Sequence, residues 1–414
     1  MLTDRTQKIL NFLGFVLALL IVNQIVGAGM RLSMGLYYAA LIGLGGIVVL
    51  LSSPWKLNPR MFFLWGTMWL SILFNLDSIP PVYKAHYRTI SFFLVMLSFG
   101  PFLLNQRLYY FRIKMLNFFN LFLLLLTLAS LAGKFLGGGG SDIQGYYYGF
   151  SIHSMILGSV AGFTFINCLH EASGAGIPKI KILWIIVAVL ALITGFYASS
   201  RVSLGASFCG AAVYLLKRYQ GQYGRAILIC GLLAIGLVFC LQFTGDILSG
   251  VQNKMGGRFD ISSTFSSRQP KWEDRFAEFQ HSPLFGVGAH SIHPEVAKDL
   301  EGLYTGMVEP GNAWLFFLSS MGILGFVAFC LVFLPPMAQL WKRGVPQSDG
   351  TLLLAQMVFF AVYMNAEAHI TASGDYTYAY SWLIIALVQN ENRQYLWESH
   401  LSFMKTMPFF KRTR

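Results

Sequence analysis

The sequence predicts an all-α, polytopic integral membrane protein, one domain over residues 1–414 with about twelve transmembrane helices. A single long connection, 245–311, joins the ninth and tenth helices and holds short amphipathic helices. Three observations lead there. Of the 414 residues, 55% are hydrophobic and only 12% charged, with a mean hydropathy of +0.58, which excludes a soluble globular domain of ordinary make-up. The apolar residues gather in runs of bilayer-crossing length. The basic residues gather on one set of connections.

By apolar length the spans fall at roughly 9–28, 35–52, 61–76, 89–105, 115–133, 150–169, 182–198, 202–216, 226–244, 312–333, 351–366 and 376–390. The first follows "MLTDRTQK"; its apolar stretch is long and has no clear cleavage site, so it reads as a span and not a signal peptide. The seventh and eighth share the run Ile182–Leu216, whose one charge is Arg201 in "SSRVSLGA". A single slanted helix would place that charge in hydrocarbon at a cost of at least ~2.5–3.5 kcal/mol, whereas a hairpin places it at the tip. With both termini in the cytoplasm, cytoplasmic segments hold 19 of the 30 Lys and Arg, Arg107, Arg112 and Lys114 among them. Six of the other 11 lie in the long connection, which the positive-inside rule discounts. The turn at Arg201 then faces outward, on the side of 245–311, which carries nine of the eighteen acidic residues. Cys168, Cys209, Cys230, Cys240 and Cys330 all fall in apolar segments without metal or disulfide spacing, and read as small buried hydrophobes.

Within the long connection, "SSRQPKWEDRFAEFQHSPLFGVGAHSIHPE" (266–295) predicts a short amphipathic helix on the membrane surface. Pro270 suits a first turn, Glu273 and Asp274 follow where the helix dipole favours acids, and Trp272, Phe276 and Phe279 recur on one face. Arg268 stands before the helix start, where free backbone N–H groups favour an anion. "SPLFGVG" then reads as a turn, and "EPGNAWLFFLSSMGILG" (309–325) as a polar entry to a helix with Gly322 and Gly325 available for close packing.

Taken in order, "SSRVSLGA", "SSRQPKWEDRFAEFQHSPLFGVG" and "EPGNAWLFFLSSMGILG" resemble the O-antigen ligase and O-antigen polymerase superfamily of bacterial envelope glycosyltransferases, over roughly 145–330. The resemblance implies glycan transfer from an undecaprenyl-diphosphate carrier at the periplasmic face of the inner membrane, without cofactor or metal. It implies that Arg201 and Arg268 contact the carrier diphosphate, with Pro283, Gly286 and Gly288 in the turn that follows. Ligases of the family carry a His-Asn pair, nine residues, then Gly-x-x-Gly. Here Asn312, Gly322 and Gly325 keep that spacing, but Gly311 stands where the histidine, the family's general base, is expected. Glu309 is the nearest replacement; His290, His293, Glu367 and His369 are the others, since a carboxylate desolvated at the membrane surface can rise toward neutral pKa.

Fixed guanidinium groups suit a diphosphate leaving group on physical grounds alone, because they stabilise growing oxygen charge without reorganising. Arg275 is a third candidate on the face of Arg268, or else a solvated surface charge. For sugar contact, Tyr146, Tyr147 and Tyr148 enter span six and "GDYTYAY" (374–380) enters span twelve; an interfacial aromatic belt explains both equally. The partners implied are a carrier-linked oligosaccharide donor, a carrier-linked repeat or lipid A-core acceptor, membrane lipids and a chain-length regulator, with no nucleic acid. Loss of the ligase-type histidine tilts the reading to a polymerase, with ligase as the alternative. A lipid-oligosaccharide flippase would share this hydropathy but should place ionisable residues inside its spans, and a scaffold gives no reason for Arg201 at a hairpin tip.

Overall fold

A computed structural model of the chain describes residues 4–27, 29, 31–141, 146–222, 224, 231, 268–296, 310–342 and 349–390. Eleven helices are α1 (Asp4–Ile25), α2 (Met34–Leu51), α3 (Pro59–Phe74), α4 (Ala85–Phe99), α5 (Gln106–Leu136), α6 (Ser154–Gly174), α7 (Pro178–Tyr197), α8 (Arg201–Arg218), α9 (Gln269–His281), α10 (Ala313–Lys342) and α11 (Asp349–Tyr363). Residues 376–390 form a further helix, α12. Each of the other eleven expected spans overlaps a helix; the ninth, 226–244, lies outside the described residues except for residue 231. Among the described residues six helices, α1, α2, α5, α6, α7 and α10, are long and apolar enough to cross a membrane. Local chemistry sets several starts. Asn105, His153 and Asn312 accept the first free backbone N–H groups of α5, α6 and α10, and Pro59 and Pro178 open α3 and α7.

Two short ribbons depart from the all-α expectation. β1 (Lys56–Leu57) pairs with β2 (Leu103–Leu104), and β3 (Gly140–Ser141) with β4 (Tyr147–Gly149), because neighbouring turns satisfy each other's backbone groups. α6 and α12 lie at the centre, buried along almost their whole length, with Trp382 fully enclosed. Asn167, Gln356 and Tyr380 join there in a hydrogen-bonded cluster with Asn120 that ties α5, α6, α11 and α12 together. The periphery is apolar and exposed, as at Phe12, Leu50 and Leu183, which suits hydrocarbon as solvent.

Connections sort to two ends of the bundle. At one end β1 and β2 lie with Asn58, whose amide donates to Gln389 at 2.6 Å. At the other, Val26 bridges Ser151, the Asn75 amide donates to the Gly286 carbonyl at 2.9 Å, and the Tyr37 and Tyr38 hydroxyls donate to the carbonyls of Gly374 and Ser373.

Arg112 is not the cytoplasmic surface charge its sequence position indicated. α5 begins nine residues before the expected span, so Arg112 is wholly buried, donating to the carbonyls of Ser98, Gly100 and Leu103. A guanidinium there gathers the carbonyls left open where α4 ends.

Candidate functional site

Two of the sequence motifs interlock. The turn after α9 runs Pro283–Gly288, and α10 breaks at Gly322, whose φ of 63° and ψ of −166° suit glycine alone. Across the break Val287 N donates to Ser319 O at 3.0 Å, Gly288 N to Ser320 O at 3.1 Å, and Ile323 N to Pro283 O at 2.9 Å. A Cβ on Gly286 would collide with the Ser320–Met321 backbone, and one on Gly322 with the Leu284 carbonyl. The Ser71 hydroxyl, donating to Ser320 O at 2.6 Å, and the Phe74 ring, stacked on Phe285, anchor this clasp to α3. Gly325 meets only the Met321 side chain and takes no part.

The clasp fixes α9, and with it Arg268 at the helix start. The Arg268 guanidinium donates to Glu367 Oε1 at 2.6 Å and to the carbonyls of Ala366 and Gly311. Trp272 Nε1 also donates to the Gly311 carbonyl, at 3.2 Å. Glu367 Oε2 lies 3.4 Å from His369 Nε2, and His369 Nδ1 lies 3.6 Å from Asp375 Oδ2, so four charged or titratable groups form one chain. Burial alone would raise the Glu367 carboxyl; the hydrogen bond from His369 and the charge of Arg268 outweigh it and hold the group below its usual range. The carboxylates approach opposite nitrogens of one ring and do not converge, and no group of His, Cys, Asp or Glu among the described residues is placed to hold a metal ion.

Gly311 has φ +66°, and the atoms nearest to a Cβ built on it belong to Lys271 and Arg268 Nη1, the latter at 4.0 Å. A side chain at 311 would therefore point at the cations of α9. A non-glycine residue there would have to adopt a left-handed backbone.

Arg201 reaches the same end through helix packing. Gly158 of α6 packs on Ser200 and Ser203, Gly162 on Ser207 and Phe359, and Gly210 of α8 on Ile166, Ala355 and Phe359. α6 and α8 therefore run together while α11 runs against them. Arg201, six residues before Ser207 or about 9 Å along the axis, comes level with the end of α11 near residue 365. The Ser159–Tyr376 hydroxyl contact ties α6 to α12 at this level. Arg201 is exposed and makes no hydrogen bond or ion pair with the described residues.

The remaining candidates stand elsewhere. Arg275 is neither surface nor free: it is buried with its guanidinium 2.8 Å from Glu278 Oε2. α9 in fact buries Asp274, Arg275 and Glu278 against the bundle and leaves Phe276 exposed, so its polar face looks inward. His290 is fully enclosed, and burial, aided by the charge of Arg88, pushes its pKa down to about 3. The His293 backbone N–H donates to Glu278 Oε1 at 2.9 Å; burial and the neighbouring His281 ring, 4.5 Å away, lower its pKa. Asn312 caps α10, its Oδ1 accepting from Leu315 N at 3.0 Å. Tyr147 is buried under Lys134 with its hydroxyl on the Ser130 carbonyl, and Tyr376, Tyr378 and Tyr380 are core residues. Glu309 lies outside the described residues. Asp375 and Lys271 were missed in the sequence. Asp375 sits in a turn with no motif spacing; Lys271 reads as an ordinary surface residue until Gly311 is placed beside it.

Residues 186–330 match the protein family described as O-antigen ligase. The matched segment contains Arg201, Arg268, the whole clasp and Gly311, but not Glu367, His369 or Asp375. No curated protein sequence matches the chain.

Proposed function

We propose that the chain, whose residues 186–330 match the O-antigen ligase family, is a glycosyltransferase of the bacterial inner membrane that takes its glycan from undecaprenyl diphosphate at the periplasmic face. The observation that carries this reading is that Arg201 and Arg268, both inside the matched segment, lie at the same end of a bundle whose periphery is apolar. An acceptor hydroxyl attacks the anomeric carbon of the donor sugar, the bond to the carrier diphosphate breaks, and its electron pair leaves on the diphosphate oxygen. Arg201, exposed, is free to grip that oxygen; Arg268 offers donors not spent on Ala366, Gly311 and Glu367. The held guanidinium of Arg268 and the free one of Arg201 stabilise charge that grows in the transition state, and this step asks no metal of the protein.

The acceptor is read as a second carrier-linked repeat, which makes the protein a polymerase of O-antigen or a related surface polysaccharide. Gly311 supports this, since the ligase-type histidine is replaced by a residue whose carbonyl serves Arg268 and Trp272 instead. Transfer to lipid A-core is the second reading, favoured by the description of the matched family. Nothing supports a chain-length regulator as a partner. Purified protein given carrier-linked repeats alone should yield a ladder of longer lipid-linked chains. Product only after lipid A-core is added would make it a ligase; lipid movement across vesicles with no new glycosidic bond would make it a transporter.

A further inference from the structure

We infer that Glu367 takes the proton of the acceptor hydroxyl, and that it is held inactive on Arg268 until the donor diphosphate displaces it. The inference rests on the transfer reading above and adds what the arginine pair leaves out. A glycosidic bond formed from a hydroxyl releases a proton, and a group within reach must accept it. Gly311 has no side chain to do so, and the bare backbone leaves the space beside Arg268 Nη1 and Lys271 to other groups. Among the described residues the carboxylate that reaches Arg268 is Glu367, 2.6 Å from the guanidinium.

In the free protein Glu367 is a poor base. Arg268 holds one oxygen and His369 the other, and both favour the ionised form. A diphosphate carries more charge than a carboxylate and offers two-point geometry, so it competes for the same guanidinium. Once it binds, the contribution of Arg268 to Glu367 is lost, a new negative charge stands nearby, and the burial that disfavours the carboxylate remains. The carboxylate becomes more basic only when the donor is in place. His369, held from its far side by Asp375, keeps the second oxygen and fixes the direction of the freed one; it is a positioning residue. In the balanced step the acceptor oxygen bonds to the anomeric carbon, the carbon–oxygen bond to the diphosphate breaks with its electron pair, and the hydroxyl proton goes to Glu367 Oε1. Tyr363, the last residue of α11, is among the described residues the further titratable group that faces Glu367.

The test is Glu367→Gln, which keeps the shape: its one oxygen can still accept from Arg268, while its amide nitrogen takes the place of Oε2 beside His369 and can only donate. Turnover of carrier-linked repeats should fall on the order of 10²–10⁴-fold. Binding of undecaprenyl diphosphate should tighten several-fold, because a neutral amide competes less for Arg268. Turnover within tenfold of wild type overturns the proton-transfer role; unchanged or weaker binding overturns the coupling and leaves Glu367 a structural tie. Glu367→Asp should keep turnover within tenfold of wild type, and it decides the matter if the glutamine variant does not fold: a hundredfold loss in a folded aspartate variant overturns the assignment. A wild-type protein that forms no glycosidic bond with either acceptor would instead refute the transfer reading.

Discussion

Replacing Gly322 by alanine probes the joint on which the candidate site is built. At φ 63° and ψ −166° an L-residue is strained by ~1–3 kcal/mol. The added Cβ also meets the Leu284 carbonyl, so the clasp must open or the backbone must shift. Opening it forfeits the three backbone bonds from Val287, Gly288 and Ile323, each worth about 0.5–1.5 kcal/mol. Whichever route the protein takes, the expected loss is ~2–4 kcal/mol, and Arg268 loses its fixed place because α9 is held from that turn. Gly46→Ala is the control: in α2 an added Cβ meets nothing within 4 Å, and helix propensity gains up to about 1 kcal/mol. Melting temperature in detergent and turnover of carrier-linked repeats should both fall for Gly322→Ala and hold for Gly46→Ala. A Gly322→Ala protein that melts with the wild type and turns over normally would refute the joint.

Other outcomes follow from the same geometry. Arg201→Lys should lose activity nearly as fully as Arg201→Ala, on the order of a hundredfold, with melting unchanged because the residue is exposed, and Arg201→Ala with Arg268→Ala should cost less than the two losses combined. His290 is neutral in the fold down to about pH 3 but titrates near 6.5 when unfolded, so above pH 6.5 it has no effect on stability. Between pH 6.5 and 3 the unfolded chain binds a proton that the folded one refuses, and stability falls by up to ~1.4 kcal/mol per pH unit. His290→Asn, which tolerates the local φ of 62° and cannot ionise, should flatten that acid limb in melts at pH 4 and 7. Single cysteines at the exposed positions 138 and 372 should react with an impermeant thiol reagent in spheroplasts, and those at 56 and 220 should not, once the five native cysteines are replaced. The reverse pattern would turn the arginine end to the cytoplasm.

The helices were legible because a span satisfies its own backbone, so length and hydropathy report it without reference to neighbours. Boundaries were less so: α5 extends well past its apolar run, and Arg112, read as a surface charge, is the staple of a turn. The motifs marked Arg201 and Arg268 as candidates, and the spacing around Gly322 was visible, but hydropathy carries no sign of a backbone angle, so the break in α10 was not. α9 shows the sharpest limit. Its amphipathic pattern was correct, yet a helix that faces lipid on one side and a polar protein end on the other buries its charges, and Arg275 and Glu278 lie inside. The pairing of Arg268 with Glu367 joins residues 99 apart in sequence, which no local pattern encodes.

The clasp also divides what is free to vary from what is not. Because Val287 and Gly288 are bonded to Ser319 and Ser320, the chain between them is a closed excursion that leaves and returns at one point. Lengthening such an excursion costs only the logarithm of its size, about 0.6 kcal/mol per doubling. Insertions among residues 297–309 therefore leave the position of Arg268 untouched. Length and composition can therefore change in that stretch without moving the helix start that carries Arg268, so tolerance and constraint are assigned to separate stretches of one chain.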